Sequence, residues 1–124
     1  MILALSVVAP NGSNIRSGTK TIEVRSWRIE ELPIKNLLIV ENSVYLSRQR
    51  PVDANGCAVA LVDVESIHER QPDEVEAACA TEWQAGFWAW CLSNVRPIAA
   101  NIRVAARRKL YSVDVGAEIL GYLE

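Results

Sequence analysis

The hydrophobic positions of this chain fall in short runs that either alternate with polar residues or continue unbroken to a turn residue. Both patterns are typical of β-strands, because strand side chains alternate between two faces and a fully covered strand is apolar throughout. We predict strands for the segments Ile2–Val8, 21–27, 37–41, 57–67, 87–95 and Leu110–Val113. In the longest, 57–67, Val62 and Val64 are expected to face inward, with Asp63 and Glu65 outward.

Proline and glycine residues mark three candidate helices. Pro10 fits the first turn of a short helix over 10–17, and Gly18 supplies the positive φ angle that stops it. A second helix is predicted over 72–83, because the segment begins with a proline and carries acidic residues in its first turn, near the positive end of the helix dipole. The segment 116–123 is a candidate for a terminal helix.

The remaining segments indicate one compact fold. Residues 47–56 form a loop by composition, and Pro97 is expected to end the strand that precedes it. About five or six short strands with two or three short helices fit an α+β fold, a small and partly open β-barrel. Since 124 residues, half of them hydrophobic, can bury one core, we predict a single domain, 1–124.

No apolar run approaches the roughly 20 residues that a membrane-spanning helix needs. The N-terminal run Ile2–Val8 lacks a preceding Lys or Arg and leads into Pro10 and Asn11, so it reads as a strand rather than an export signal. We therefore expect a cytoplasmic protein without a membrane partner.

Familiar catalytic and metal-binding motifs are missing from the sequence. There is no glycine-rich nucleotide loop, no His-Glu-x-x-His motif, and no second histidine to join His68, which is expected to be a surface residue. Cys57, Cys79 and Cys91 are widely spaced and form no Cys-x-x-Cys pair, so reduced and partly buried thiols are expected. No metal and no cofactor are expected.

The charge of the chain restricts any nucleic-acid binding to a local surface. A net charge of −2 and a pI near 5.5 argue against a generally basic coat, which depends on many phosphate contacts. The segment 103–109 contains three arginines and a lysine, with Arg96 slightly upstream, while acidic residues gather in 63–82. Either this basic segment contacts a ligand, or it is a solvated strand end that balances the acidic one.

The segment 18–27 combines both signs of charge with an aromatic residue. Lys20 lies in a turn, and Glu23, Arg25 and Trp27 share one face of the predicted strand because they alternate along it. On a solvated face, Glu23 and Arg25 would be an ordinary surface ion pair. Alternatively, the pair only stabilises the barrel. In a cleft, the same residues would form an oriented set that grips a base edge, a sugar or a phosphate.

The spacing Gly18-x-Lys20-x-x-Glu23-x-Arg25 resembles the Gly-x-Lys-x-x-Glu-x-Arg signature of ASCH domains. The segments 5–15, 37–43, 56–67, 88–98 and 109–113 resemble the remaining elements of that family in the same order. The resemblance covers most of the chain. It implies a PUA-like β-barrel whose cleft, between the short helix and the barrel, binds RNA or a nucleoside-type ligand.

The resemblance also implies site residues. Lys20, Glu23 and Arg25 match the signature directly as ligand-binding residues. Looser matches add Trp27, Trp90, Asn94 and Arg96, although Trp90 can equally be an aromatic residue that fills the barrel core.

An enzymatic alternative follows from the same resemblance. Some superfamily members resemble small amidohydrolases that remove the acetyl group of N4-acetylcytidine with a Lys and a Thr, and other relatives are thought to cleave single-stranded RNA. Glu23 occupies the position of that Thr, so Glu23 would act as general base and Lys20 would stabilise negative charge. Thr21, on the same strand face as Glu23, is the weaker candidate for the hydroxyl. The sequence leaves ligand, turnover and oligomeric state open.

Overall fold

A computed structural model describes residues 1–123, apart from the side chain of Ala100. It contains eight strands, two short α-helices and one turn of 3-10 helix over Pro72–Glu74. The strands are β1 (Ile2–Val8), β2 (Ile22–Arg25), β3 (Ile34–Asn42), β4 (Val52–Asp53), β5 (Cys57–Glu69), β6 (Trp88–Arg103), β7 (Ala106–Arg107) and β8 (Leu110–Val113). The helices are α1 (Asn11–Ser17) and α2 (Ala117–Leu120).

Six strands form one sheet in the order β2-β6-β5-β3-β1-β8, and β4 pairs with β7 in a separate two-stranded ribbon. Strands β1 and β3 are parallel, so their carboxyl ends lie at the same edge of the sheet. The other pairs within the large sheet are antiparallel. This parallel pair brings the end of β1, the start of α1 and the end of β3 together.

The sheet is curled into a half-barrel. Strand β2 lies at one edge of the sheet, four places away from β1, yet Arg25 of β2 donates a hydrogen bond of 2.7 Å from Nη2 to the carbonyl of Ser6 in β1. A flat sheet would hold these strands roughly 19 Å apart at the usual strand spacing. The predicted α+β fold with a small, partly open barrel is therefore confirmed.

Three buried clusters form the core of the described residues, and the smallest contains Ile22, Ala78 and Ala89. One surrounds Trp90 and Leu5 and includes Ile15 of α1, which is fully buried against the sheet. Another surrounds Leu38 and Leu61 and includes Ile119 of α2. Helices this short are not stable in isolation. Because each contributes a buried isoleucine, packing against the sheet stabilises them.

Helix α1 follows the prediction closely. The helix runs over Asn11–Ser17, and Gly18 adopts a φ angle of 84° with its N–H donating to the carbonyl of Ile15. This left-handed conformation is accessible to glycine without strain from a β-carbon, which is why the helix ends there. Within the predicted loop 47–56, the short strand β4 is an addition.

The predicted helix over 72–83 is wrong beyond its first turn. After Pro72–Glu74 the chain forms irregular turns, and Cys79 takes a φ angle of 54°. The carbonyl of Ala77 accepts hydrogen bonds from the backbone N–H groups of Thr21 and Ile22. Since this carbonyl serves the start of β2, it does not continue a helical ladder.

The predicted end of the strand at Pro97 is also wrong, because β6 continues to Arg103. Strand β2 pairs with β6 only through Trp88 to Cys91, so among the described residues the later part of β6 has no neighbouring strand on that side. Pro97 lacks an N–H group, which costs nothing on an unpaired strand edge. The strand therefore passes through the proline, and its later part pairs with β5.

Asp63 was expected to face solvent but is 3% exposed. Its carboxylate accepts a hydrogen bond of 3.1 Å from the backbone N–H of Asn36, which adopts a φ angle of 59° where the β3 register shifts. Alternation along β5 predicts the face of Asp63 but not the neighbouring side chains that cover it. Among residues 1–123, no helix combines the length and apolar composition that a bilayer-spanning helix needs.

Candidate functional site

A cleft of about 390 Å³ opens where the curled sheet brings β2 opposite the end of β1. We call it the basic cleft. Its lining comes from the end of β1, the start of α1, strand β2, the end of β3 and the β7–β8 turn, and includes Ser6, Asn11, Glu23, Arg25, Trp27, Asn42, Tyr45, Arg107, Arg108 and Lys109. Three predicted site residues, Glu23, Arg25 and Trp27, thus lie together in one concavity.

Glu23 is the central charged group of the basic cleft and is 7% exposed. Its Oε2 lies 2.6 Å from Arg25 Nη2 and accepts a second hydrogen bond of 2.9 Å from Arg25 Nε. Its Oε1 lies 3.4 Å from Lys20 Nζ. Two cations compensate one carboxylate in a largely buried position, so this set of three residues carries net positive charge.

Lys20 and Thr21 lie beside the basic cleft rather than in its lining. The side chain of Lys20 is 5% exposed, and its Nζ donates to the carbonyl of Ala78. Thr21 is exposed, and its backbone N–H donates to Ala77 at 2.9 Å. Lys20 therefore ties β2 to the segment after Pro72 and acts on the cleft through Glu23.

The two tryptophans of the prediction have different positions. Trp90 is fully buried in the core and lies edge-on to Trp27, with ring centroids 4.9 Å apart and planes at 80°. Its Nε1 donates to the carbonyl of Trp27 at 3.3 Å. Trp27 is half-buried and lines the basic cleft. Trp90 thus supports the ring that faces the cleft, consistent with its alternative interpretation as a core residue.

Asn94 and Arg96 lie away from the basic cleft, around the buried Asp63. Arg96 Nη2 is 2.8 Å from Asp63 Oδ1, and Asn94 Nδ2 donates to Oδ2 at 3.0 Å. Burial alone would raise the pKa of Asp63, but the bonds from Asn94 and Asn36 and the charges of Arg96 and Lys35 together lower it. This arrangement stabilises the β5–β6 pair and leaves both residues outside the cleft.

Sequence patterns do not predict that the basic turn, Arg107 to Lys109, faces β2. Hydrogen bonds around Ser6 hold the turn in this position. The backbone N–H of Arg107 donates to Ser6 Oγ at 3.1 Å, Ser6 Oγ lies 2.9 Å from the Tyr111 hydroxyl, and Tyr111 donates to the carbonyl of Ala105. Since the Ser6 carbonyl also accepts from Arg25, one serine connects both walls of the cleft. Burial raises the pKa of Tyr111, which keeps its hydroxyl protonated.

A separate polar cluster contains the single histidine. His68 Nε2 lies 2.7 Å from Glu74 Oε2, and its Nδ1 lies 3.6 Å from Cys91 Sγ. Burial would raise the pKa of Glu74, but the backbone N–H of Gln71 and His68 outweigh that effect and lower it. The described part of the chain holds no group of three or more metal-ligating side chains in a suitable arrangement. Its cysteines are free thiols, each partly buried.

A curled sheet with a short helix at the ends of two parallel strands, and a polar cleft beside that helix, defines the class of domain. The family model for the ASCH domain matches residues 5–102, and the chain therefore belongs to the ASCH domain family. No curated protein sequence matches the chain.

Solved structures agree with this assignment. The chain is similar to the crystal structure of ASCH from Zymomonas mobilis, with a TM-score of 0.57, 16% identity, and coverage of 98% of this chain and 95% of that chain. A single-substitution variant of the same protein gives a TM-score of 0.53 at 17% identity, covering 96% and 93% of the two chains. Another variant gives 0.51 at 16%, covering 96% and 91%. At these identities the likeness shows the fold.

Proposed function

We propose that this ASCH domain is a binding module for single-stranded RNA or a modified nucleoside, with the ligand in the basic cleft. The observation that carries the proposal is the position of the turn Arg107 to Lys109, which faces Arg25 and Trp27 across a concavity of about 390 Å³. This volume lies in the range of about 300 to 1,000 Å³ that is usual for ligand pockets.

Charge supports an anionic ligand in the basic cleft. Arg25, Arg107, Arg108 and Lys109 are basic lining residues, and Glu23 is the acidic one. Since Glu23 is already compensated by Arg25 and Lys20, and no other carboxylate of the described residues lines the cleft, the three side chains of the turn have no uncompensated carboxylate among the lining residues. The cleft is therefore locally positive on a chain of net charge −2.

Aromatic residues support a ligand that contains a base. The half-buried Trp27 is held by Trp90 behind it, and Tyr45, 83% exposed, lies at the same cleft. A ring with a fixed orientation loses little side-chain entropy when a base stacks on it, and stacking contributes about 1 to 3 kcal/mol per base. Phosphate contacts from the turn and base contacts from the rings would be made by one ligand.

The test measures RNA affinity in variants of the turn. We expect Arg107→Ala combined with Arg108→Ala to weaken binding of a fluorescent single-stranded RNA at least tenfold by fluorescence anisotropy. Both side chains are exposed, and the bond from Arg107 to Ser6 uses the backbone, so the fold is kept. Arg103→Ala is the matched control, since Arg103 is exposed and lies outside the cleft lining. Equal affinity in all three proteins would overturn the proposal.

Hydrolysis of an N4-acylated nucleoside or of RNA stays a separate prediction. The position of Lys20 supports binding in preference to it, because Nζ contacts Ala78 and Glu23 rather than the cleft space. Turnover of N4-acetylcytidine that is lost in Glu23→Gln would establish the enzyme. Binding without turnover would leave the binding module.

A further inference from the structure

A second pocket, of about 470 Å³, lies at the start of β6 and is lined by three aromatic residues of the described chain, whereas the basic cleft is lined by two. We infer that this second pocket binds one base of the same RNA strand, an inference that rests on the proposed function. Two charged and three aromatic residues are among its lining residues: Glu69, Arg70, Trp83, Phe87 and Trp88.

Trp83 is the stacking surface of the second pocket. Its side chain is 40% exposed, which is unusual for tryptophan, while its Nε1 donates to the carbonyl of Arg70 at 3.0 Å. This hydrogen bond fixes the indole orientation without covering the ring. Phe87 and Trp88, both half-buried, line the same space. A planar ligand is therefore the shape that this lining fits.

Arg70 supplies unused hydrogen-bonding capacity. It is 8% exposed, and its Nη2 donates to the carbonyl of Glu82 at 2.9 Å, but its buried Nε has no acceptor among the described residues. Buried charged donors without acceptors are costly and rare, so an acceptor brought to this guanidinium by a ligand would be favourable. Glu69 also lines the pocket, and its negative charge would repel a phosphate. Arg70 as donor and Glu69 as acceptor together fit a base edge that has both a carbonyl and an N–H group.

The second pocket is joined to the basic cleft through the β2–β6 pair. Arg25, which lines the cleft, is directly opposite Trp88, which lines the second pocket. Arg28 covers the Trp88 ring, with its guanidinium carbon 4.5 Å from the ring centroid, and so places a further cation at this junction. One extended strand of RNA can therefore occupy both sites, with phosphates at the cleft and a base in the second pocket.

The experiment compares Trp83→Ala and Trp83→Phe for binding an RNA of about eight nucleotides, a length within the range of single-stranded binding sites. We expect Trp83→Ala to weaken binding about tenfold and Trp83→Phe to retain most of the affinity, because a phenyl ring still stacks. Thermal unfolding checks whether each variant folds. If Trp83→Ala does not fold, Trp83→Phe still tests the inference, because a tenfold loss of affinity in that variant would contradict stacking.

The outcomes separate the two proposals. Absence of RNA binding by the wild type would reject RNA as the ligand of the proposed function, and with it the inference about the second pocket. RNA binding that depends on Arg107 and Arg108 but is unchanged in Trp83→Ala would reject only the second pocket. A loss in Trp83→Phe as large as that in Trp83→Ala would also reject it, because stacking would then not be the cause.

Discussion

At the scale of single residues, burial decides which charges of the basic cleft face a ligand. Glu23 and Arg25 share a strand face, but Glu23 is 7% exposed and serves two cations, whereas the side chain of Arg25 is 21% exposed. Lys20 is still more buried and bonds a backbone carbonyl. Sequence alternation gives the face of each residue, and only the packing around it determines its partner.

Asp63 gives a prediction at the same scale. Its pKa is lowered in the folded protein, so its stabilising effect is complete above the unfolded pKa of about 3.9 and is lost as pH falls through the lower folded pKa. We expect Asp63→Asn to reduce the free energy of unfolding by about 3 kcal/mol at neutral pH, because Arg96 then lacks its carboxylate. Urea unfolding between about pH 7 and pH 3 measures the difference.

The pH dependence distinguishes this explanation from simple loss of packing. The gap between wild type and Asp63→Asn should be constant above about pH 5 and narrow below about pH 4. Asp114→Asn, at an exposed aspartate, is the control and should change the stability by no more than about 0.5 kcal/mol. A gap that stays equal at all pH values would contradict the role given to the charge.

At the scale of elements, the sequence predicts the strands better than their boundaries. The runs Ile2–Val8 and Leu110–Val113 match the structure to the residue, because each is bounded by turn residues. Strand β6 is longer than predicted because Pro97 lies where β2 no longer pairs with β6. That arrangement depends on the tertiary structure, which the local sequence does not report. The segment 72–83 fails as a helix because the carbonyl of Ala77 bonds to β2, a partner about 55 residues earlier, which local periodicity does not report.

Gly56 gives a prediction for how the elements hold the basic turn. A β-carbon there would lie 2.3 Å from the carbonyl oxygen of Val104 and 2.8 Å from Val40 Cγ1. Gly56→Ala should therefore move the segment that leads into β7, lower the free energy of unfolding by about 2 kcal/mol, and weaken RNA binding through the displaced turn. Chemical denaturation and anisotropy measure the two effects.

Gly121→Ala is the matched control for this substitution. Within the part of the chain that the structure describes, no atom beyond Gly121 and its immediate chain neighbours lies within 4 Å of a β-carbon added there, and its φ angle of −66° is open to any residue. Stability within about 0.5 kcal/mol of wild type is expected. Wild-type stability in Gly56→Ala would show that the backbone near Val104 adjusts without cost.

At the scale of the whole molecule, the charge is distributed unevenly. The cleft residues Glu23, Arg25 and Trp27 could be named from the sequence because they alternate along the predicted strand 21–27, although β2 ends at Arg25 and Trp27 follows it. The turn Arg107 to Lys109 could not be placed opposite them, since its position depends on the curl of the sheet and on Ser6. Composition alone, with a net charge of −2, conceals this positive surface.

The salt dependence of binding tests that distribution. If the three side chains of the basic turn each neutralise a phosphate, log K should fall with log[salt] with a slope of about −2, because each contact with a single strand contributes about −0.7. Affinity should then decrease roughly twentyfold between about 50 and 200 mM salt. Arg108→Ala should make the slope shallower by about 0.7, whereas Arg103→Ala should leave it unchanged. A slope near zero would mean that the ligand is held by stacking and hydrogen bonds, without phosphate contacts at the turn.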